Sequence, residues 1–485
     1  MMALGLVACL TLVAGDVDDL ERRLKDGEER NRRTAVQELA KLDTDEAWEL
    51  VLDALRDPEP MVADEAQLVL GDSANADVRD ALLGKAGIGA RDALVRLRAA
   101  EALGRIELEL DPSSVLKKLK DKDPEVRRTL LWTIERQALA GRLVRGKRDQ
   151  ALLDALEKLQ ARDKDPGVRA AAWMALHAFD PEGDAERFER LERDQPVELR
   201  CATVRSQLDE EPELKTIVSW TRSPEQAVRS LAITALAEGG TTEHVAALIE
   251  HLPKERNRRL AWAIVGHLQE LSGKKHGLDP RPWQAWSEGL SAGWTPGKPR
   301  RDAREVGNRS VAFAGMPVLS EYLVILVDFS GSLWEERDGK TRKEAVDVEL
   351  RRLLEALPET TYFNLVPYTN EPIPWKDVLT PATKKNVADA LDFFEGCKAS
   401  GKGNAWDALS LAFDHKGVDT VVILTDGAPS GGTRWNLGLM ADLVAEKNRF
   451  RGVALDALLV DAGGLKRYWE RICRDSGGRV LAVDL

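Results

Sequence analysis

Apolar residues follow two different patterns along this chain. From about Asp16 to about Ser272 they recur at helical spacing, in Ala- and Leu-rich runs such as AAAWMALHAF and SLAITALAEG. From Val318 onward, short β-branched runs alternate with amphipathic stretches of helical length. The hydrophobic pattern therefore predicts an all-helical first part and an α/β second part.

The helical part repeats a short unit that contains proline. Its copies begin at Asp57-Pro58, Asp123-Pro124, Asp165-Pro166, Gln195-Pro196 and Ser223-Pro224. Asp or Ser is predicted to cap the helix that follows, with Pro at the first helical position, where its missing N–H costs nothing. The later copies lie about 28 to 42 residues apart, which is a period typical of a helical solenoid. These units resemble HEAT repeats.

The character of the sequence changes between residues 273 and 316, where Lys, Gly and Pro become frequent. We predict a short helix at 282–290 that caps the solenoid, with Trp283 and Trp286 covering its last apolar face. The run SVAFAG, just before Met316, is a candidate for an added edge strand. The predicted domains are a signal peptide at 1–15, a HEAT-like solenoid at 16–290, a linker at 291–317 and an α/β domain at 318–485.

Five strands are predicted in the α/β part, each separated from the next by an amphipathic helix. They lie at residues 322–327, 362–368, 420–425, 454–460 and 479–483. A strand followed by a helix, repeated several times, predicts a doubly wound, mostly parallel sheet of Rossmann-like type.

Oxygen-bearing side chains follow the first of these strands. Asp328, Ser330 and Ser332 lie within one tight turn, and Gly331 lets the backbone fold closely enough for them to converge. Open α/β sheets place their sites at this carboxyl edge. Oxygen-only ligands suit Mg²⁺ or Mn²⁺, with Ca²⁺ as a further candidate, better than a thiolate-preferring metal.

A second motif, Thr425-Asp426-Gly427, follows the strand at 420–425. Together with the D-x-S-x-S sequence at Asp328, it resembles the metal-ion-dependent adhesion site (MIDAS) of von Willebrand factor A (vWA) domains, and the likeness covers residues 318–485. The resemblance implies that Ser330 and Ser332 bind a metal directly. It also implies that Asp328 and Asp426 bind it directly or through water, and that an acidic side chain of a partner completes an octahedron.

One position departs from the family's pattern. The run Gly401 to Leu409 places Gly403 where the family has a ligating Thr. A water, Asn404 or Ser400 is a candidate for the missing ligand, and we expect weaker metal binding. The alternative is that no metal binds and that the two Asp side chains accept hydrogen bonds from helix N-terminal amides.

Other motifs for chemistry are weaker. The run from Gly396 to Gly403 nearly matches a phosphate-binding P-loop, but it follows a predicted helix at 384–394 instead of a strand. No metalloprotease or nucleophile-elbow motif occurs, so we predict a binding protein and not an enzyme. A hydrolase that uses the metal as a Lewis acid is the remote alternative.

Aromatic residues on the site loops are candidates for partner contact or for packing, namely Trp334, Tyr368, Trp406 and Trp435.

Charge and composition narrow the choice of partner. The net charge is -12, from 70 basic and 82 acidic residues, which opposes binding to nucleic acid or to an anionic membrane. The first residues contain an apolar run of signal-peptide length that ends near Val13-Ala14-Gly15 but lacks a basic start. Leu6 to Cys9 resembles a lipobox. These features predict export to the periplasm or outside the cell, with a lipoprotein as one form of export. The alternative is a buried first helix in a cytoplasmic protein. No other stretch has transmembrane length.

The sequence as a whole predicts a protein-binding scaffold. The solenoid would carry a vWA domain whose divalent ion captures an acidic residue of an unidentified protein partner. The alternative is an intracellular adaptor or assembly factor that works with an ATP-driven remodelling machine, because related A-type domains act in such systems.

Overall fold

The computed structural model describes residues 16–146, 148–191, 194–291, 293–296, 311–334, 336–337, 340–398, 401–460 and 463–483. The chain is helical at 16–23. The helices that follow are α1 Glu29–Leu42, α2 Asp45–Asp53, α3 Pro60–Gly71, α4 Ala76–Leu83, α5 Ala93–Arg105, α6 Pro124–Leu139, α7 Asp149–Arg162, α8 Pro166–Phe179, α9 Asp184–Glu189, α10 Val197–Asp209, α11 Leu214–Trp220, α12 Gln226–Gly239, α13 Thr242–His251, α14 Arg258–Ser272 and α15 Pro280–Glu288. Within the described residues, none of the helices is both long enough and apolar enough to cross a membrane.

Strands appear in the second part of the chain. They are β1 Ala312–Phe313, β2 Met316–Pro317, β3 Tyr322–Asp328, β4 Glu336–Arg337, β5 Lys340–Thr341, β6 Tyr362–Tyr368, β7 Thr380–Pro381, β8 Thr420–Thr425, β9 Ala454–Val460 and β10 Val480–Val483. The helices between them are α16 Arg342–Ala356, α17 Lys384–Gly396, α18 Ala405–Asp414, α19 Leu437–Asn448 and α20 Lys466–Asp475.

The main sheet has six strands in the order β10-β9-β8-β3-β6-β7. All neighbours are parallel except β7, which runs antiparallel to β6. Successive residues of the central strand β3 face opposite sides of the sheet, as the pleat requires. Leu323 and Ile325 pack in the same core cluster as α16 and α17, whereas Val324 and Leu326 pack with α18, α19 and α20. The predicted doubly wound sheet is therefore confirmed.

The predicted edge strand before Met316 was wrong. Ala312 and Phe313 pair antiparallel with Met316 and Pro317 in a separate two-stranded ribbon, and this ribbon does not extend the sheet. The turn between them has Ala314 and Gly315 at positive φ, so the chain reverses at once and pairs with itself.

The described contacts divide the chain into two compact units. Unit 1 comprises residues up to Ser206 together with Arg434–Asn436, and unit 2 comprises Gln207–Thr433 and Leu437–Leu485. Unit 2 therefore contains helices α11 to α15 as well as the sheet. The boundaries predicted from the sequence at 290 and 318 stay predictions.

An arginine ladder joins successive repeats inside each unit. Near the start of one helix an arginine reaches the acidic residue that precedes the next repeat, and both side chains are largely buried. The pairs are Arg32 with Asp57 (2.8 Å), Arg96 with Asp121 (2.7 Å), Arg127 with Asp163 (2.8 Å) and, in unit 2, Arg229 with Glu255 (2.9 Å). In addition to the apolar contacts, these ion pairs fix the register between repeats.

The predicted helix starts were right in two repeats and wrong in three. Pro124 and Pro166 hold the first helical position after the caps Asp123 and Asp165. Pro58, Pro196 and Pro224 lie before their helices, which begin at Pro60, Val197 and Gln226. In the first and last of these repeats the N-cap is a glutamate with extended backbone, so Asp57 and Ser223 accept backbone hydrogen bonds in the preceding turn instead.

Unit 2 joins its helices to the amino-terminal edge of the sheet through buried polar contacts. Asn257, the N-cap of α14, donates to Asp419 at 2.8 Å, and Arg259 contacts Asp456 of β9 at 3.4 Å. Arg259 also donates to the carbonyl oxygen of Gly477 at 2.7 Å. Burial alone would raise the pKa of Asp456, but the charges of Arg259 and Arg479 outweigh it and hold that pKa below its ordinary value.

Candidate metal centre

Two adjacent parallel strands bring Asp328 and Asp426 together. Strand β3 ends at Asp328, strand β8 ends at Thr425, and Val327 lies opposite Leu424 in the register between them. Asp328 and Asp426 are both among the residues that line one cavity of about 20 Å³, which is enough space for a single water-sized occupant. The sequence motifs therefore meet at the carboxyl edge of the sheet.

Three hydrogen bonds orient the carboxylate of Asp328. Its Oδ1 accepts from the backbone N–H of Ser330 at 2.9 Å. Its Oδ2 accepts from the Thr425 hydroxyl at 3.0 Å and from the Tyr368 hydroxyl at 3.2 Å. The side chain is thus held by the turn that follows β3 and by the last residues of β8 and β6.

The electrostatics of the pair favour a cation. Asp328 is only 6% exposed, and burial together with the nearby charge of Asp426 raises its pKa to about 6. A bound cation would relieve both effects, and it would do so in addition to the buried Arg342, which lines the same cavity. Among the described residues, no three His, Cys, Asp or Glu side chains converge to hold a metal, so a bound ion would depend on these two carboxylates, on hydroxyls and on water.

Gly403 lies directly against Asp328, at the position where the sequence pattern lacks its Thr. A Cβ at this residue would stand 3.2 Å from both Asp328 carboxylate oxygens and 3.5 Å from the Cβ of Ser330. The backbone N–H of Gly403 donates to the Ser430 hydroxyl at 2.8 Å, and its carbonyl accepts from the N–H of Ser430 at 3.1 Å. A side chain at 403 would therefore enter the site, and glycine leaves that space open.

The proposed substitutes for the missing Thr fare differently. Asn404 is the N-cap of α18: its Oδ1 accepts from the N–H of Asp407, and its Nδ2 donates to Asp407 and to the carbonyl of Asn370. These bonds orient its side chain, and the candidacy of Asn404 as the substitute ligand stays a prediction. Ser400 lies outside the described residues. Ser332 lies in the 3-10 turn Gly331–Trp334, and its side chain also falls outside the part that the structure describes.

The alternative role for the two carboxylates is partly visible. Asp328 accepts from the N–H two residues on, and Asp426 accepts from the N–H of Ala428 at 3.1 Å. These bonds come from the turns that follow each strand, as is common for Asp in turns. They are compatible with a metal, because each carboxylate oxygen carries two lone pairs.

Sequence reasoning did not assign several residues that shape this site. Tyr368 was a candidate for partner contact or for packing; it is fully buried, and burial raises the pKa of its hydroxyl well above the ordinary value. Its place at the end of β6, next to β3, was the available signal. Trp435 lies 4.8 Å below the guanidinium of Arg33 in unit 1. No feature of the sequence marked Ser430 as a site residue, because its role depends on the close approach of Gly403.

Comparisons with known proteins support both parts of the chain. A family model described as HEAT repeats matches residues 17–104, 50–135 and 112–209. Inter alpha-trypsin inhibitor heavy chain 4 of Mus musculus is 28% identical over 129 residues, which is 24% of this chain and 13% of the mouse protein. The chain therefore matches only a small part of that relative's length. Heavy chains of this group contain a vWA domain.

Solved structures show distant likenesses. A von Willebrand factor type A protein from Catenulispora acidiphila is 18% identical, with a TM-score of 0.29, over 35% of this chain and 40% of that chain. An aerotolerance-related membrane protein from Bacteroides fragilis is 14% identical, with a TM-score of 0.27, over 33% of this chain and 90% of that chain. On the repeat matches, the heavy-chain similarity and the site motifs, the chain is a HEAT-like repeat array followed by a von Willebrand factor A domain.

Proposed function

We propose that this chain is a protein-binding scaffold whose vWA domain holds a divalent cation at Asp328, Ser330, Ser332 and Asp426. Mg²⁺ or Mn²⁺ suits the oxygen donors best, and Ca²⁺ is the further candidate. The observation that carries the proposal is that Asp328 and Asp426 line one cavity at the carboxyl edge of the sheet, where the nearby charge of Asp426 adds to burial in raising the pKa of Asp328.

The residues around the site have different roles. Tyr368 and Thr425 hold the Asp328 carboxylate by two hydrogen bonds to one oxygen, which fixes its orientation before any ion arrives. Ser330 lies on the same turn, and its N–H holds the other oxygen of Asp328. When bound, the ion would supply an open coordination position that an acidic side chain of a protein partner can fill. The solenoid would present this site or bind a second partner.

Gly403 sets the expected strength of binding. A threonine hydroxyl at that position would add a ligand beside Asp328, and the glycine leaves the place to water. We therefore expect a weak site, with a dissociation constant on the order of that seen in extracellular calcium modules, about 10⁻⁴ to 10⁻³ M.

Titration calorimetry of the full chain with Mn²⁺ and Mg²⁺ tests the proposal. The wild type is expected to bind one ion, and Asp426→Asn and Ser332→Ala are expected to bind at least about tenfold more weakly. Asp392→Asn is the matched control, since Asp392 is an exposed carboxylate on α17. Equal binding by Asp426→Asn and the wild type, or no binding by the wild type, would show that the site is not a metal site.

Export belongs to the same proposal. It rests on the apolar run in residues 1–15, which lie outside the described residues. Fractionation of cells that express the full sequence tests it: recovery in the periplasm or the medium is expected, and full recovery in the cytoplasm would favour the adaptor alternative.

A further inference from the structure

Residues Arg434–Asn436 are bound by the helical repeats of unit 1. The guanidinium of Arg434, 1% exposed, donates to Gln67 Oε1 at 2.8 Å and to Glu101 Oε1 at 2.9 Å. The backbone N–H groups of Trp435 and Asn436 donate to one oxygen of Asp64, at 2.6 and 2.7 Å. One side chain and two successive amides are therefore recognised by α3 and α5.

The charges in this contact balance. Asp64 and Glu101 are 0% and 3% exposed, and Arg98, 1% exposed, is ion-paired with Asp64. Two buried carboxylates thus face two buried guanidiniums, those of Arg98 and Arg434. Burial raises the pKa of Glu101, and the charge of Arg434 acts against that rise. Loss of Arg434 would leave an excess buried negative charge, which proteins tolerate poorly.

The same segment belongs to the loop that carries Asp426. This loop runs from the end of β8 to the start of α19 at Leu437. Along it, Ser430 and Gly431 donate their N–H groups to the carbonyl of Gly403, at 3.1 and 3.3 Å. Thr433 then donates to Asp407 at 3.2 Å. The loop is therefore tied at its start by the Asp426 turn, in the middle by Gly403, and at its end by Arg434.

We propose that Arg434 is a positioning residue for the metal site. Its buried ion cluster with Asp64, Gln67 and Glu101 fixes the far end of the loop, and this holds Ser430 against Gly403 and Asp426 beside Asp328. The inference rests on the proposed metal-binding function for its effect on affinity, but its effect on the loop can be measured without any metal.

Hydrogen exchange of the metal-free full chain tests the positioning role. Arg434→Met is expected to raise exchange at the amides of Trp435 and Asn436 and also at Ser430 and Gly431, which Arg434 does not contact. The matched control is Arg229→Met, which breaks the largely buried pair with Glu255 in another repeat. Faster exchange confined to 435–436, with 430–431 unchanged, would overturn the inference whatever the metal data show.

Mn²⁺ calorimetry on the same variants gives the second readout. Arg434→Met is expected to weaken binding by about fivefold or more, whereas Arg229→Met leaves it unchanged. Arg434→Lys keeps the charge but not the two-pronged contact, so an intermediate loss is expected. If Arg434→Met does not fold, Asp64→Asn replaces it, since Asp64 accepts both amides. If a folded variant binds Mn²⁺ as tightly as the wild type, the positioning role is refuted. If the wild type itself binds no Mn²⁺, only the metal-binding function is refuted.

Discussion

At the residue scale, Gly403 is the position that, on the proposed metal-binding function, limits how strongly the site holds an ion. Its missing side chain leaves a gap whose nearest atoms are the two carboxylate oxygens of Asp328. A hydroxyl in that gap would be close enough to act as a ligand. A side-chain carbon 3.2 Å from these oxygens would be crowded. The carbon of a new side chain would therefore disfavour ion binding, whereas its hydroxyl would favour it.

The pair of variants Gly403→Thr and Gly403→Ala separates these two effects. We expect Gly403→Thr to bind Mn²⁺ about tenfold more tightly than Gly403→Ala, because only threonine adds an oxygen ligand. Gly403→Ala is expected to bind no better than the wild type. Calorimetry on both variants measures the difference, and equal affinity of Thr and Ala at this position would argue against a ligand site there.

The sequence alone was enough to locate the site residues that share one turn or lie at the ends of recognisable strands. Asp328 and Ser330 share one turn, and Asp426 follows a strand that was recognisable by its apolar run, so their convergence followed from a parallel sheet. For Tyr368 the sequence left partner contact and packing both open, because its burial depends on the order of the strands, which spacing alone does not specify. Asn404 caps its helix through the local contact with Asp407, and only its bond to Asn370 depends on the tertiary fold.

At the element scale, the arginine ladder links each repeat to the next. Glu255 shows its electrostatics most clearly: its side chain is 0% exposed and contacts Arg229 at 2.9 Å and His251 at 3.1 Å. Burial alone would raise the pKa of Glu255, but the hydrogen bonds from His251 and Arg229 outweigh it and lower the pKa to about 2. The carboxylate therefore favours the folded state only while it is ionised.

This predicts how Glu255→Gln changes stability with pH. The folded pKa is below the ordinary value of 4.5, so the contribution of Glu255 is fully present above about pH 4.5 and is lost as the pH falls toward 2. We expect Glu255→Gln to lower the free energy of unfolding by about 2 kcal/mol at pH 7, and by less at pH 3. Urea denaturation measures both values. Glu250→Gln, which removes an exposed partner of Lys254, is the control, and an effect of Glu255→Gln that is independent of pH would disprove the account.

Secondary structure was the most predictable level. Strands β6, β8 and β9 begin and end at the residues that the apolar runs indicated, because a strand buried on both faces of a parallel sheet is mostly apolar along its length. Helix starts were less predictable. At Pro58 and Pro224 the helix begins two residues later than the proline pattern suggested, since a glutamate with extended backbone takes the N-cap position.

At the scale of the whole molecule, the two compact units do not coincide with the helical part and the α/β part that the hydrophobic pattern of the sequence predicts. Helices α11 to α15 read as the end of the solenoid, yet their contacts group them with the sheet in unit 2. The contacts of Asn257 with Asp419 and of Arg259 with Asp456 join residues far apart in the chain. No pattern of a single sequence reveals such pairs, because each residue alone looks like an ordinary polar surface position.

Arg259→Met tests whether this junction stabilises the sheet. Asp456 keeps Arg479 as a partner at 2.6 Å, so we expect a loss of about 2 kcal/mol in the free energy of unfolding, smaller than for a fully unpaired buried charge. Faster hydrogen exchange in β9 and β10 should accompany it. Arg256→Met, at an exposed neighbouring arginine, is the control. No difference between the two variants would mean that the junction contributes nothing to the stability of unit 2.

The most direct test of the central claim is a crystal structure of the full chain grown with Mn²⁺ and measured at a wavelength where manganese scatters anomalously. We predict one anomalous peak between Asp328 and Asp426, with oxygen ligands at about 2.1 to 2.2 Å that include Ser330 and Ser332. A peak at any other place, or none at a saturating concentration of Mn²⁺, would contradict the account.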